Sequence, residues 1–401
     1  MSDGSQDETD APVPTSCPNG LINFPQGSVI VHDADEEILE LYMNLATTQE
    51  TDEGHTGGLG FLDSTSSCLE MDVVLRPPTL DSGAGTIPAS SGRKRKGPKG
   101  KSEKEEVRLP VRVQQDLTAL KGRKGDTGSV LWRSSLYLAR HILTQHHYPS
   151  PNSLINLEVL QRSRVLELGA GTGLLAVLLS PLCAEYTASD RLENLKLVHR
   201  NLELNGLAPR SSSLPSPSAS TGKSKRKDPG KAAGVIATQR TVLEEIDWVA
   251  VSNQRLRAEA RSPTKTLRPL PSSPTLAKTP LSPHRAARSL SGHIDSSGGD
   301  KGDIRSDEYD LVLAVDCIYN ENLVKPLVDT LNAYCPPGGN TVVWVVVELR
   351  SSDVLTLFMD TWLSDSLSGD HPWTIVRLPA ETMGAWDGTR PRWVGWVGWR
   401  T

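Results

Sequence analysis

Long apolar runs are missing from this chain of 401 residues. No stretch of about 18 apolar residues occurs, so no membrane-spanning helix is expected. The first residues are acidic and polar, and no signal peptide is expected. Cysteine is scarce: five residues, Cys17, Cys68, Cys183, Cys317 and Cys335, odd in number and far apart. No C-x-x-C or Cys/His spacing occurs, which excludes a disulfide framework and gives no metal site. Free thiols in a reducing compartment are the expectation. Aromatic residues make up 5% and hydrophobic residues 37%, too few to pack the whole chain. With 33 Gly and 28 Pro, this predicts one core domain among long irregular segments. The net charge of −5 is too small to point to a partner. Its distribution says more: residues 1–82 carry Arg76 as their single base among many acids, whereas Arg93 to Lys104 is basic.

What is present is an alternation of strand and helix patterns. Val29 to Val31 reads as a short strand and Asp33 to Leu45 as a helix with acids in its first turn. Residues 47–66 read as loop, and Pro77 to Lys104 as a low-complexity bridge holding Arg93-Lys94-Arg95-Lys96. That basic run is either a solvated loop or a nuclear address. No aromatics interleave with the bases, so direct nucleic-acid binding is not expected. A strand follows at Val107 to Gln114, then a helix through Leu136 and Leu143. Val165 to Leu168 is a buried strand, Leu174 to Leu182 a helix, Tyr186 to Asp190 a strand, and Leu192 to Leu204 a helix stopped at Asn205-Gly206. Later come strands within Gly234 to Trp248, at Tyr309 to Val315 and at Thr341 to Val347. Helices are expected at Leu323 to Tyr334 and Val354 to Leu363. Trp373 to Leu378 and Val394 to Trp399 read as a terminal antiparallel pair. This order predicts an α/β fold, a mostly parallel sheet with helices on both faces and a C-terminal antiparallel strand. Residues 209–233 and 252–306 are low-complexity inserts that cannot bury enough apolar surface to order themselves.

The chemistry starts at Glu167-Leu168-Gly169-Ala170-Gly171-Thr172-Gly173. Glycines at alternate positions, after a strand and before a helix, bring backbone close to a ligand. A nicotinamide site wants a third glycine where Leu174 stands. A P-loop wants G-K-S/T, which is absent. G-x-G-x-G suits the amino-acid part of S-adenosylmethionine, which has no pyrophosphate to cradle. Asp190, ending the next strand, can accept ribose hydroxyls; a helix cap is its plain alternative.

Several stretches together carry a resemblance: Gly128 to Ser135, Val165 to Gly173, Asp190 with Asn201 and Asn205, Asp247-Trp248, and Ala314 to Tyr319. In these the chain resembles the seven-strand, Rossmann-like, S-adenosylmethionine-dependent protein lysine methyltransferases, in particular the fungal ribosomal lysine N-methyltransferase 5 group. The resemblance implies a methyltransferase domain over residues 105–401, interrupted by the two inserts. Residues 1–104 then form an acidic extension with a short helix and the basic loop. It implies that Trp132 packs near the methionine end of the cofactor. Gly169, Ala170 and Gly171 line the turn, Asp190 takes the ribose, Trp248 stacks near the adenine, and Ala314 gives room beside the sulfonium. A core aromatic is the plain alternative for either tryptophan.

Asp316-Cys317-Ile318-Tyr319 matches the D-x-x-Y motif of that family. The resemblance makes Asp316 and Tyr319 the catalytic pair: the acid holds a lysine amine and the phenol aligns it. A helix cap is the plain alternative for Asp316, and Cys317 reads as a packed thiol rather than a nucleophile. No N-P-P-Y occurs, which argues against methylation of amide or nucleobase nitrogens. Trp393, Trp396 and Trp399 read as core residues of a terminal strand rather than a stacking platform. The expected activity is methylation of a lysine in a 60S ribosomal protein, by a monomer acting in the cytoplasm, with the nucleus open as a second location. No metal and no membrane partner are expected. The same chemistry on a translation factor or chaperone is the alternative, as is a cofactor-binding interaction protein with little catalysis.

Overall fold

In a computed structural model, residues 12–49, 60–78, 105–122, 127–207, 209–211, 241–261, 309–367, 372–383 and 392–400 are described. The basic run Arg93 to Lys96 and residues 262–306 of the second insert lie outside them. In chain order the elements are β1 (Val29–Ile30), α1 (Ala34–Gln49), β2 (Cys68–Leu75), β3 (Val107–Gln114), α2 (Leu117–Gly122), α3 (Arg133–His147) and α4 (Leu157–Leu160). Then follow β4 (Arg164–Leu168), α5 (Leu174–Leu179), β5 (Glu185–Asp190), α6 (Leu192–Leu204), β6 (Arg210–Ser211), β7 (Thr241–Glu245) and α7 (Trp248–Arg261). The chain closes with β8 (Leu311–Val315), α8 (Glu321–Tyr334), β9 (Val342–Glu348), α9 (Ser352–Leu367), β10 (Trp373–Arg377) and β11 (Trp393–Arg400).

Among the described residues, nine strands form the main sheet in the order β1-β10-β11-β9-β8-β4-β5-β7-β6. Its centre is parallel: β4 pairs with β5 and β8, β5 with β7, and β8 with β9. β11 runs antiparallel between β9 and β10. The expected seven strands are therefore all present, and the two-residue strands β1 and β6 extend them at the edges.

Continuous apolar runs build the centre because both sheet faces are covered. Along β8 and β9, Leu313, Val315, Trp344 and Val346 join one core, while Val312, Ala314, Val343 and Val345 join the other. The first core includes residues of α3, α5 and α6; the second takes those of α1, α8 and α9. Trp396 and Trp399 fall on opposite faces of β11: Trp396 lies near Phe358, and Trp399 stacks on Phe24. All three C-terminal tryptophans are buried, as core residues.

Several elements depart from the sequence reading: the short helices α2 and α4 were not expected, β6 lies in the stretch read as the first insert, and two longer elements differ as well. β2 was not foreseen; it pairs with β3 over its full length, from Cys68 opposite Gln114 to Leu75 opposite Val107. α7 runs to Arg261, into the stretch read as the second insert. Asp247 Oδ1 accepts from the amides of Val249 and Ala250, which starts this helix. Ser252 then donates to the buried Asp329 of α8 at 2.5 Å, so the helix is tied to the core despite its polar composition.

The described parts of residues 1–104 share the core. Arg377 reaches both Glu37 and Glu40 of α1, and Trp396 donates to Glu37 at 2.7 Å. All five cysteines are free thiols, and only Cys68 is exposed. Among the described residues no helix is long and apolar enough to cross a membrane.

Candidate active site

The chain leaves β4 on one side toward β5 and returns on the other as β8. Crevices at the carboxyl ends of strands, where the order reverses in this way, are where open α/β sheets bind ligands. A cavity of about 380 Å³ lies there. Its walls come from the turn after β4, the end of β5, the start of α7, the loop after β8, and Thr127 to Ser135 ahead of and within α3.

The turn has left-handed backbone at all three glycines: φ is 69° at Gly169, 55° at Gly171 and 75° at Gly173. Close approach adds to this at two of them. A Cβ on Gly171 would stand 3.0 Å from the Gly128 carbonyl oxygen, and one on Gly173 only 2.7 Å from Val198 Cγ1 of α6. The first glycines thus form the cavity floor, and the third lets α5 and α6 pack.

Asp190 ends β5 inside the cavity wall. Its Oδ1 accepts from the Arg191 amide at 2.7 Å and Asn194 Nδ2 at 2.9 Å, and its Oδ2 accepts from the Gly171 amide at 2.8 Å. Burial pushes its carboxyl up, against the pull of those donors. It does not cap α6, whose cap position is Arg191. Three of about four acceptor positions on the carboxylate are used, leaving one on Oδ2. Asn194, one helical turn beyond Asp190, was not foreseen as a site residue. Its spacing of four from the acid was the available signal. Asn201 and Asn205 act beside the cavity. Asn201 exchanges hydrogen bonds with Gln114 and donates to the Thr172 carbonyl at 2.8 Å; Asn205 exchanges bonds with Arg112. They fasten β3 to α6.

Trp132, Gly169, Ala170, Gly171, Asp190, Trp248, Asp316 and Tyr319 all line this cavity. Ala314 does not. It lies fully buried in β8 on the opposite face, and its neighbour Val315 takes the place at the wall. Strand alternation is the reason: adjacent residues point to opposite faces. Trp248 comes close enough to the turn that a Cβ on Gly169 would stand 3.2 Å from its Cζ2.

Asp316 is the one non-glycine residue with positive φ, 59°, among the described residues. Such strain persists where surroundings over-determine it, and it clusters at functional sites. Here the Asp316 amide donates to Val346 at 2.7 Å, and Ser134 Oγ donates to Oδ2 at 3.0 Å. Arg350 grips the carboxylate in two places: Nη1 to Oδ1 at 2.7 Å and Nη2 to Oδ2 at 2.6 Å. Asp316 does not cap α8; Asn320 does, accepting from Asn322. Arg350, which sequence reasoning missed, also bonds Glu348 at 2.7 Å and lies 4.6 Å from the centre of the Trp132 ring. Burial alone would pull its guanidinium down, but Asp316 and then Glu348 hold it above its usual value. Tyr319 sits at the rim, its phenol raised by burial. Cys317 is buried, its thiol pushed well up by burial and its Sγ donating to the Leu168 carbonyl, a packed thiol rather than a nucleophile.

Glu167 lies beneath the turn, accepting from Tyr186 at 2.8 Å, and burial raises its carboxyl to about 8. It stays outside the cavity.

A ribosomal protein L11 methylase from Lactobacillus delbrueckii subsp. bulgaricus aligns over 67% of this chain and 79% of its own, at 12% identity and TM-score 0.31. Human N-acetylserotonin methyltransferase, solved with SAM, aligns over 66% and 51%, at 13% identity and TM-score 0.28. One curated protein, a diaminohydroxyphosphoribosylamino-pyrimidine deaminase of Schizosaccharomyces pombe, is 37% identical over 110 residues. That match takes in 26% of this chain and spans about a quarter of the curated protein's length. The sequence profile of the family described as lysine methyltransferase matches residues 112–214 and 299–361. Those two stretches hold β3 to β5 with the glycine turn and Asp190, then β8 with Asp316, then Arg350, and over them the chain is similar to the lysine methyltransferase family.

Proposed function

We propose that this protein is an S-adenosylmethionine-dependent protein lysine N-methyltransferase. The observation that carries this reading is one cavity lined by both the glycine turn with Asp190 and the D-x-x-Y residues Asp316 and Tyr319. The two halves lie far apart in sequence and meet at one sheet edge. Similarity to the lysine methyltransferase family supports it. The deaminase name belongs to a protein of which this chain matches a quarter, and zinc deaminases carry a C-x-x-C that this sequence lacks.

The residues present fit the cofactor. Left-handed glycines leave room over the turn, Asp190 keeps one acceptor place for a ribose hydroxyl, and Trp248 offers a ring beside the turn. S-adenosylmethionine supplies an electrophilic methyl group on a sulfonium. The chain then has to bring an amine lone pair into line, and positioning carries most of that work. Trp132 and Tyr319 shape the opening, and Asp316 offers an oxygen to an amine N–H. Partial desolvation in the cavity favours the neutral amine over the ammonium.

The substrate we propose is a 60S ribosomal protein, on the resemblance to the fungal ribosomal lysine methyltransferases. The cytoplasm, where ribosomes and free thiols occur together, is the setting this implies. Mass spectrometry of ribosomal proteins from cells with and without the enzyme tests the target. A 60S protein lighter by whole methyl groups in the deficient cells supports it. Unchanged ribosomal proteins with a lighter translation factor or chaperone would move the same chemistry to that target.

A further inference from the structure

The carboxylate expected to meet the substrate is already engaged. Asp316 accepts two hydrogen bonds from Arg350 and one from Ser134, which uses three of about four acceptor positions and leaves one on Oδ1. Arg350 is outside the cavity lining, yet it touches two residues that are in it, Asp316 and Trp132. It is itself held from behind. Glu348 binds the same Nη2, and the Gly60 segment closes over both. A Cβ on Gly60 would fall on Arg350 Nη2 and stand 2.6 Å from Glu348 Oε2, and φ there is 89°. The Arg133 amide bonds the Gly60 carbonyl at 3.0 Å, the Leu62 amide bonds Leu131, and Phe61 packs on Trp132 with ring centres 4.5 Å apart. The N-terminal extension thus serves as the back wall of the amine end.

We propose that Arg350 is a positioning residue of the methyl-transfer reaction, which balances the charge of Asp316 and fixes its one free acceptor position so that the site receives a neutral amine. This rests on the functional reading above. A free carboxylate would stabilise an ammonium ion, which has no lone pair to give. A carboxylate paired with a guanidinium does so far less. The amine N–H then donates to Oδ1, and the nitrogen lone pair is left to face the methyl carbon. As the new C–N bond forms, the C–S bond breaks and its electron pair stays on sulfur. The amine proton departs to solvent, before attack for the first methyl.

Other titratable groups surround this end. Cys317 and Tyr319 are both raised by burial, so they remain a thiol and a phenol near neutral pH. Glu348 stands behind Arg350, and Asp190 belongs to the far end.

The test uses the full chain, S-adenosylmethionine and 60S ribosomal proteins, with Arg350→Gln and Arg350→Lys beside wild type. Calorimetry gives cofactor affinity, and the pH dependence of kcat gives the acid limb of the bound amine. We expect both variants to fold and bind S-adenosylmethionine nearly as wild type. In Arg350→Gln, kcat falls by roughly 10² and the acid limb moves up by about one pH unit, because the amine loses a nearby positive charge. Arg350→Lys keeps the wild-type acid limb with a lowered kcat, since charge returns without the two-pronged grip. A wild-type rate and unshifted limb in Arg350→Gln overturn this inference alone. So does a loss of rate matched by an equal loss of cofactor affinity. Wild-type protein that moves no methyl group to lysine overturns the functional reading, and this inference with it.

Discussion

Arg350 closes on Asp316 through two hydrogen bonds of 2.7 and 2.6 Å, across 34 residues of sequence and at a backbone φ of 59° for the acid. The pair joins the ends of β8 and β9 at the cavity. Asp316→Ala removes the charge partner and leaves Arg350 to Glu348 alone. We expect methyl transfer to fall to background while S-adenosylmethionine binding survives, since Asp190 and the glycine turn are untouched. The fold should lose about 3 kcal/mol, because both Arg350 hydrogen bonds and the one from Ser134 are broken at a buried carboxylate. Thermal unfolding and calorimetry together check this.

Gly173 separates packing from ligand binding within the same turn. Alanine there would combine a φ of 75° with a Cβ 2.7 Å from Val198 Cγ1. We expect Gly173→Ala to destabilise by about 1–3 kcal/mol through backbone strain, with a further loss as α6 is pushed away. Denaturant unfolding measures it.

Asn201 holds three backbone groups at once: both polar atoms of Gln114 and the carbonyl of Thr172. Asn201→Ala leaves them without these partners in a buried place, at a cost of roughly 1–3 kcal/mol for each that water cannot reach. The variant should unfold at lower denaturant and bind S-adenosylmethionine more weakly, because Thr172 lines the cavity.

Glu167 makes stability depend on pH in a direction opposite to the usual acid. Its carboxyl is raised from 4.5 to about 8 by burial. The folded chain therefore holds a proton there that the unfolded chain releases above its ordinary value. This contribution is fully present below about 4.5 and is lost as pH rises toward 8, at about 1.4 kcal/mol per pH unit. Glu167→Gln, which can still accept from Tyr186, should flatten the decline of melting temperature between pH 6 and 8 relative to wild type. Parallel curves for the two proteins would contradict this.

Legibility followed distance along the chain. Gly169 to Gly173 could be read because a strand, a turn and a helix follow one another within a few residues. Asp190 could be read because it ends the very next strand. Asp316 and Tyr319 came from the resemblance, and the structure places both at the cavity. Arg350 was not legible: Glu348-Leu349-Arg350-Ser351 looks like a solvated strand end, and its partner lies 34 residues back. β2 carried an alternation at Leu69, Val73 and Leu75, but its partner strand lies beyond the basic bridge, so no hairpin signal joined them. Helix α7 was hidden by polar composition: past Trp248 and Val251, which pack on the core, its hold is polar, through Ser252 and Arg255 to Asp329 on another helix. Ala314 lies one residue off the face that meets the cavity, a parity that the sequence alone did not fix.

The most direct measurement is transfer of an isotopically labelled methyl group. The purified 401-residue chain is incubated with methyl-labelled S-adenosylmethionine and 60S ribosomal proteins, and the label is located by tandem mass spectrometry. Label is expected on a lysine side-chain nitrogen of one ribosomal protein, abolished by Asp316→Ala. Label on any other atom type, or none despite cofactor binding, would contradict it.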